Sequence, residues 1–162
     1  MAGIFLKVLR FLNRDFTGKT WEKETTHPYF GQMIFFGHRD RAKCYWEADL
    51  SHSDLEKKIG VTLKGAPNGP EPSEEAFCRE VMSDLNALFA RCREAFRAEF
   101  PKWTKEPFPS DWRLSFTLDG FSVPRHGDVD GKWDVCYLAT PTGHFFTAQF
   151  DGGRVTRVVV DG

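Results

Sequence analysis

Among the 162 residues there is no C-x-x-C pair, no unbroken apolar run long enough for a secretory leader or a membrane span, and almost no surplus of either charge sign. The four cysteines, Cys44, Cys78, Cys92 and Cys136, are scattered without matching histidines, which argues against a zinc site and for buried, reduced thiols. If Cys78 and Cys92 share a helix, they stand about 21 Å apart at 1.5 Å rise per residue, too far for a disulfide. Lysine and arginine total 22 against 23 aspartates and glutamates, so the basic field that nucleic-acid binding needs is missing. At the start of the chain, Lys7 and Arg10 interrupt Ile4, Phe5, Leu6, Val8, Leu9, Phe11 and Leu12, and no small-residue cleavage site follows. A cytoplasmic address is the expectation. There is no G-x-S-x-G elbow, P-loop, G-x-G-x-x-G or H-E-x-x-H, no internal repeat and no low-complexity tract.

What the chain does have is aromatic bulk: 16 Phe and 5 Trp, with 41% hydrophobic and 28% charged residues. A globule of this mass removes roughly 70% of its unfolded surface from water, so a single packed domain is feasible without staples.

Residues 3–14 place Phe5, Val8, Leu9 and Leu12 at helical spacing, and residues 15–28 read as a polar connector. The run 29–36 has the length of a strand. Cys44, Trp46, Ala48 and Leu50 alternate with polar residues, as do Ile59, Val61 and Leu63, so an antiparallel meander is expected. Residues 65–72 hold two Gly and three Pro and form a loop. Ser73 then reads as an N-cap before Phe77, Val81, Leu85, Leu88, Phe89, Cys92 and Phe96. That spacing predicts one helix over 74–100, stopped by Pro101 and laid on the sheet. Trp112, Leu114, Phe116 and Leu118 alternate as a strand running to Val123. Two further strands, 133–137 and 144–150, join through residues 140–143, which sets Tyr137 opposite Phe146, Val135 opposite Ala148 and Trp133 opposite Phe150. Residues 151–153 close another hairpin. The final strand, 155–160, is apolar on both sides and reads as central or covered.

Candidate chemistry is sparse. His126, Gly127, Asp128, Val129, Asp130 and Gly131 resemble part of a calcium loop, but the twelfth position is Tyr137 instead of a bidentate Glu, so an ordinary turn is expected and no metal or cofactor is implied. Cys136 and His144 fall on opposite strand parity, which argues against a nucleophile and base pair. The residues singled out for binding are Tyr45, Glu47 and Asp49, one strip of a strand's polar face able to meet a basic protein, and His144, which shares the apolar parity of Phe146 and Phe150. Residues 3–14 offer a weaker option, contact with an anionic membrane, against which packing on the domain or on a second copy is preferred.

The His27, Pro28, Tyr29, Phe30 and Gly31 opening, the Tyr45 and Trp46 strand, the Pro-flanked loop before a long helix, and the Trp133 strand with its 151–153 hairpin together resemble a loose group of uncharacterised bacterial domains. Some of these are immunity-type partners of toxins. The likeness spans residues 27–162 and carries over no catalytic residue; it implies a cytoplasmic binding protein. The reading is thus an α+β fold: an N-terminal extension and connector over 1–26, then one domain over 27–162. In it an antiparallel sheet of six or seven strands bears one long helix, beside a short N-terminal helix. The function expected is a non-catalytic protein-binding module, immunity-like or scaffolding. The alternative is a small hydrolase or ligand-binding enzyme with an aromatic-lined pocket.

Overall fold

The computed structural model describes residues 21–162 apart from residue 66, so the helix expected over 3–14 lies outside the described residues. Eight strands form one sheet in chain order: β1 (Trp21–His27), β2 (Gly31–Gly37), β3 (Tyr45–Leu50), β4 (Ile59–Lys64), β5 (Phe116–Val123), β6 (Trp133–Ala139), β7 (His144–Asp151) and β8 (Arg154–Asp161). Every neighbouring pair is antiparallel except β4 and β5, which run parallel. Between those two come α1 (Pro72–Ser83) and α2 (Leu85–Thr104). A parallel pair needs a crossover that carries the chain back to the starting end, and the two helices supply it.

The α+β class holds, with an eight-stranded sheet among the described residues where six or seven strands were expected, and with two helices, α1 and α2, where one long helix was expected over 74–100. The missed strand is β1, inside the residues read as connector. As an edge strand it leaves its first four residues exposed, so it carries no apolar alternation. The hairpin to β2 turns at 28–30, where the His27 Nδ1 accepts the Tyr29 N–H at 3.2 Å and Phe30 folds back into the core.

The long helix breaks at Asp84, which has φ −147° and ψ 90°. Its carboxylate accepts the Ala87 N–H at 2.9 Å and caps α2, a competing local bond that apolar spacing does not register. The N-cap of α1 is Glu71 instead of Ser73; Pro72 follows it, and Glu74 accepts the Glu71 N–H at 2.8 Å. Pro101 lies inside α2, which runs on to Thr104 and ends with Lys105 left-handed at φ 63°. Residues 112–114 form a 3-10 turn capped by Asp111, so Leu114 points to solvent at 74% exposure while Trp112 and Phe116 stay buried.

Both helices pack on one face of the sheet. Phe89 stacks on Trp112 at 4.8 Å and meets Tyr137 edge-on at 5.3 Å, and Phe96 stacks on Phe116 at 5.6 Å. The expected register between β6 and β7 is present, including Trp133 opposite Phe150, whose rings stack at 4.1 Å. Arg91 reaches over both rings and donates to the Gly153 carbonyl at 3.1 Å, tying α2 to the last hairpin. β8 is the sheet's outer edge, not a central strand. Val155, Val158 and Val160 pack against the core, and the strand's far backbone edge is unpaired within the sheet.

Two substitutions at this aromatic layer separate packing from polarity. Phe96→Ala lowers the unfolding free energy by about 3–5 kcal/mol in urea titration. Tyr137→Phe keeps the ring and removes a buried hydroxyl that has no hydrogen-bond partner among the described residues, so stability stays level or rises by about 1 kcal/mol.

Candidate functional site

The register lines up one residue from each strand on the sheet face away from the helices. Glu24 stands opposite Ile34, Ile34 opposite Glu47, Glu47 opposite Thr62, and Thr62 opposite Ser122. The row continues to Asp134, whose N–H donates to Ser122 Oγ at 2.9 Å, then to Gln149 and Arg157. All but Ile34 are polar. No stretch of sequence announces this row, because its members are spread over more than a hundred residues and meet only through strand pairing.

Its middle forms the floor of a groove of about 470 Å³, with Thr62, Ser122, Asp134 and Gln149 below and Lys64 and Lys132 at the rim. Lys132 pairs with Asp151 at 3.5 Å. Burial pushes the Asp134 carboxyl above its ordinary range, against the pull of the Ser122 hydrogen bond and the Lys64 charge. Asp134 Oδ1 and Thr62 Oγ1 are both buried and have no hydrogen-bond partner among the described residues. Buried polar atoms of this kind are uncommon, since an unmade hydrogen bond costs the full desolvation of the group.

Tyr45, Glu47 and Asp49 do share this face, but not as one exposed strip. Tyr45 is buried, stacks on Phe36 at 5.0 Å and lines the groove. Glu47 is only 3% exposed. Asp49 is half-exposed and opens instead on a second cleft, of about 520 Å³, at the other end of β3, where the Arg79 guanidinium sits 4.1 Å over the Tyr29 ring. Burial raises the Tyr29 phenol to about 12. His144 lies apart from all three, half-buried at the end of β7 with its ring edge-on to Trp103 at 5.5 Å.

Cys136 stands opposite Thr147 on the groove-side face and His144 opposite Ala139 on the helix side, so the two project from opposite faces. All four cysteines are buried and free. Burial raises the Cys78 and Cys136 thiols well above the ordinary range and the Cys92 thiol to about 12, the opposite of what a nucleophile requires. In the calcium-like segment the Asp128 carboxylate accepts the Asp130 N–H at 3.1 Å, and His126 Nδ1 lies 2.8 Å from Glu71 Oε2. Gly127 is left-handed at φ 66°, and a Cβ there would overlap the Ser73 carbonyl. Among the described residues no group of three or more His, Cys, Asp or Glu is placed to hold a metal ion, and no helix is long and apolar enough to cross a membrane.

Comparison of the chain with protein-family models, with curated proteins and with solved structures returns no match.

The raised carboxyl makes a signed prediction. The unfolded Asp134 ionises near pH 4 and the folded one at higher pH, so its stabilising contribution is present at low pH and is lost as pH rises through the folded value. Asp134→Asn does not ionise. Its melting temperature relative to the wild type therefore rises between pH 3 and pH 7, as differential scanning calorimetry at both values will show.

Proposed function

We propose that this chain is a non-catalytic protein-binding module whose partner seats on the sheet face away from the helices, over the groove between Thr62 and Gln149. The observation that carries the reading is the groove itself, about 470 Å³, in which the polar row of Thr62, Ser122, Asp134 and Gln149 is flanked by Lys64 and Lys132. A partner segment that presents main-chain or side-chain polar groups finds hydrogen-bonding partners in the half-buried Gln149 amide and the lysine ammoniums of this groove. An acidic side chain on the same segment fits beside Lys64 and Lys132. This changes the expected chemistry of the partner: the sequence pointed to an acidic strip at Tyr45, Glu47 and Asp49 for a basic surface, whereas burial of Glu47 and the lysine rim favour a mixed, hydrogen-bonding contact. Neutralising a toxin by covering its surface is one form such binding takes, as the resemblance over residues 27–162 implies.

The test is affinity capture from the native cell with three baits. Thr62→Trp fills the groove, and Glu94→Arg reverses a charge on α2 that is 81% exposed on the opposite layer. The proposal expects one stoichiometric protein on the wild type, its loss on Thr62→Trp and its retention on Glu94→Arg. Retention by both variants, loss from both, or no captured protein overturns it.

A further inference from the structure

The two edges of the sheet are unlike. β1 presents Trp21, Glu22, Lys23 and Glu24, all exposed, and three adjacent charges are a common guard against edge-to-edge pairing. β8 presents Arg154, Val155, Thr156, Arg157, Val158, Val159, Val160 and Asp161, with four valines and charge at its ends and centre. An eight-residue edge of this composition is a ready template for another strand.

Only part of it is regular. The register between β7 and β8 shifts at Gln149 and Phe150, so the first half of β8 is bulged, while residues 157–161 pair in unbroken succession with 149–145. Within that regular stretch the sequence is self-complementary about Val159. If a second copy runs antiparallel with Val159 opposite Val159, then Val158 faces Val160 and Arg157 faces Asp161, and each pair occurs twice by symmetry.

The faces agree as well. Arg157, Val159 and Asp161 oppose Gln149, Thr147 and Phe145 on the groove side, whereas Val158 and Val160 oppose Ala148 and Phe146 on the helix side. Every pair across the axis thus joins residues of the same face, as an antiparallel ladder requires. Val158 and Val160 already pack against the core and are partly exposed, so pairing extends the apolar layer from one copy to the next. Arg157 and Asp161 are exposed, and neither has an ion-pair partner among the described residues.

We infer that β8 is a homodimer interface: two copies join antiparallel along residues 157–161, with Val159 on the two-fold axis and reciprocal Arg157 to Asp161 pairs. The contact is isologous, so it closes at two copies instead of growing into a filament. It stands independently of the groove reading.

Sedimentation across low micromolar to sub-millimolar concentration tests it, using the full chain. The wild type shows a monomer–dimer equilibrium. Arg157→Asp or Asp161→Arg alone sets like charges opposite each other twice and weakens the dimer by at least about tenfold. The double variant Arg157→Asp with Asp161→Arg restores attraction in the swapped sense and returns affinity to within about threefold of the wild type. Circular dichroism and thermal melts on each variant separate lost dimerisation from lost folding, and rescue by the double variant is not an outcome misfolding can produce. A wild type that stays monomeric, a dimer indifferent to the single reversals, or open-ended oligomers growing with concentration would each overturn the inference.

Discussion

Phe89, Phe96 and Phe100 project from one face of α2 into Phe116, Tyr137 and Phe146 of the sheet. Burying the three rings contributes roughly 5–9 kcal/mol before edge-on and stacked geometry is counted, comparable to the whole stability of a domain this size. The same layer fixes where β5 to β7 stand under α2, and α2 is joined through α1 to β4. Packing between helix and strands therefore decides that β5 lies beside β4 and parallel to it, and so makes one sheet out of two four-stranded meanders.

From that splice follows the polar row. Thr62 belongs to the first meander and Ser122, Asp134 and Gln149 to the second, and they meet because Gly60 to Leu63 pair in register with Gly120 to Val123. A slip of one residue would turn each side chain to the other face, placing Phe121 in the groove and Ser122 in the aromatic layer. The core thus enforces the site: the free energy of burying Phe121 and Val123 on the helix side holds Ser122 and Asp134 on the other, including a carboxyl whose burial is itself unfavourable.

Much of the local structure was legible in the residues because period-two and period-3.6 patterns report which face is buried. Trp46, Ala48 and Leu50, the Ile59 to Leu63 strand, and the pairing of Trp133, Val135 and Tyr137 with β7 are all of this kind. What escaped was set by bonds with no periodic signature. Asp84 caps and divides the helix, Asp111 curls 112–114 into a turn that exposes Leu114, and β1 is an edge wet on both sides. β8 misled for the converse reason, since valines on both faces mark an edge strand here as readily as a central one. Of the four residues picked out for binding, Tyr45 does line the groove. Thr62, Ser122, Asp134 and Gln149 could have been found only from the register between β4 and β5, and the sequence carries no marker of that parallel pair.

The most direct test of this account is nuclear Overhauser contact between the backbones of β4 and β5 in solution. A single sheet spliced in parallel predicts contacts joining Gly60 with Gly120 and Thr62 with Ser122, alongside ring contacts from Phe96 to Phe116. Absence of the two backbone contacts while the ring contact persists, or an antiparallel pattern between these strands, would contradict the account and dissolve the groove with it.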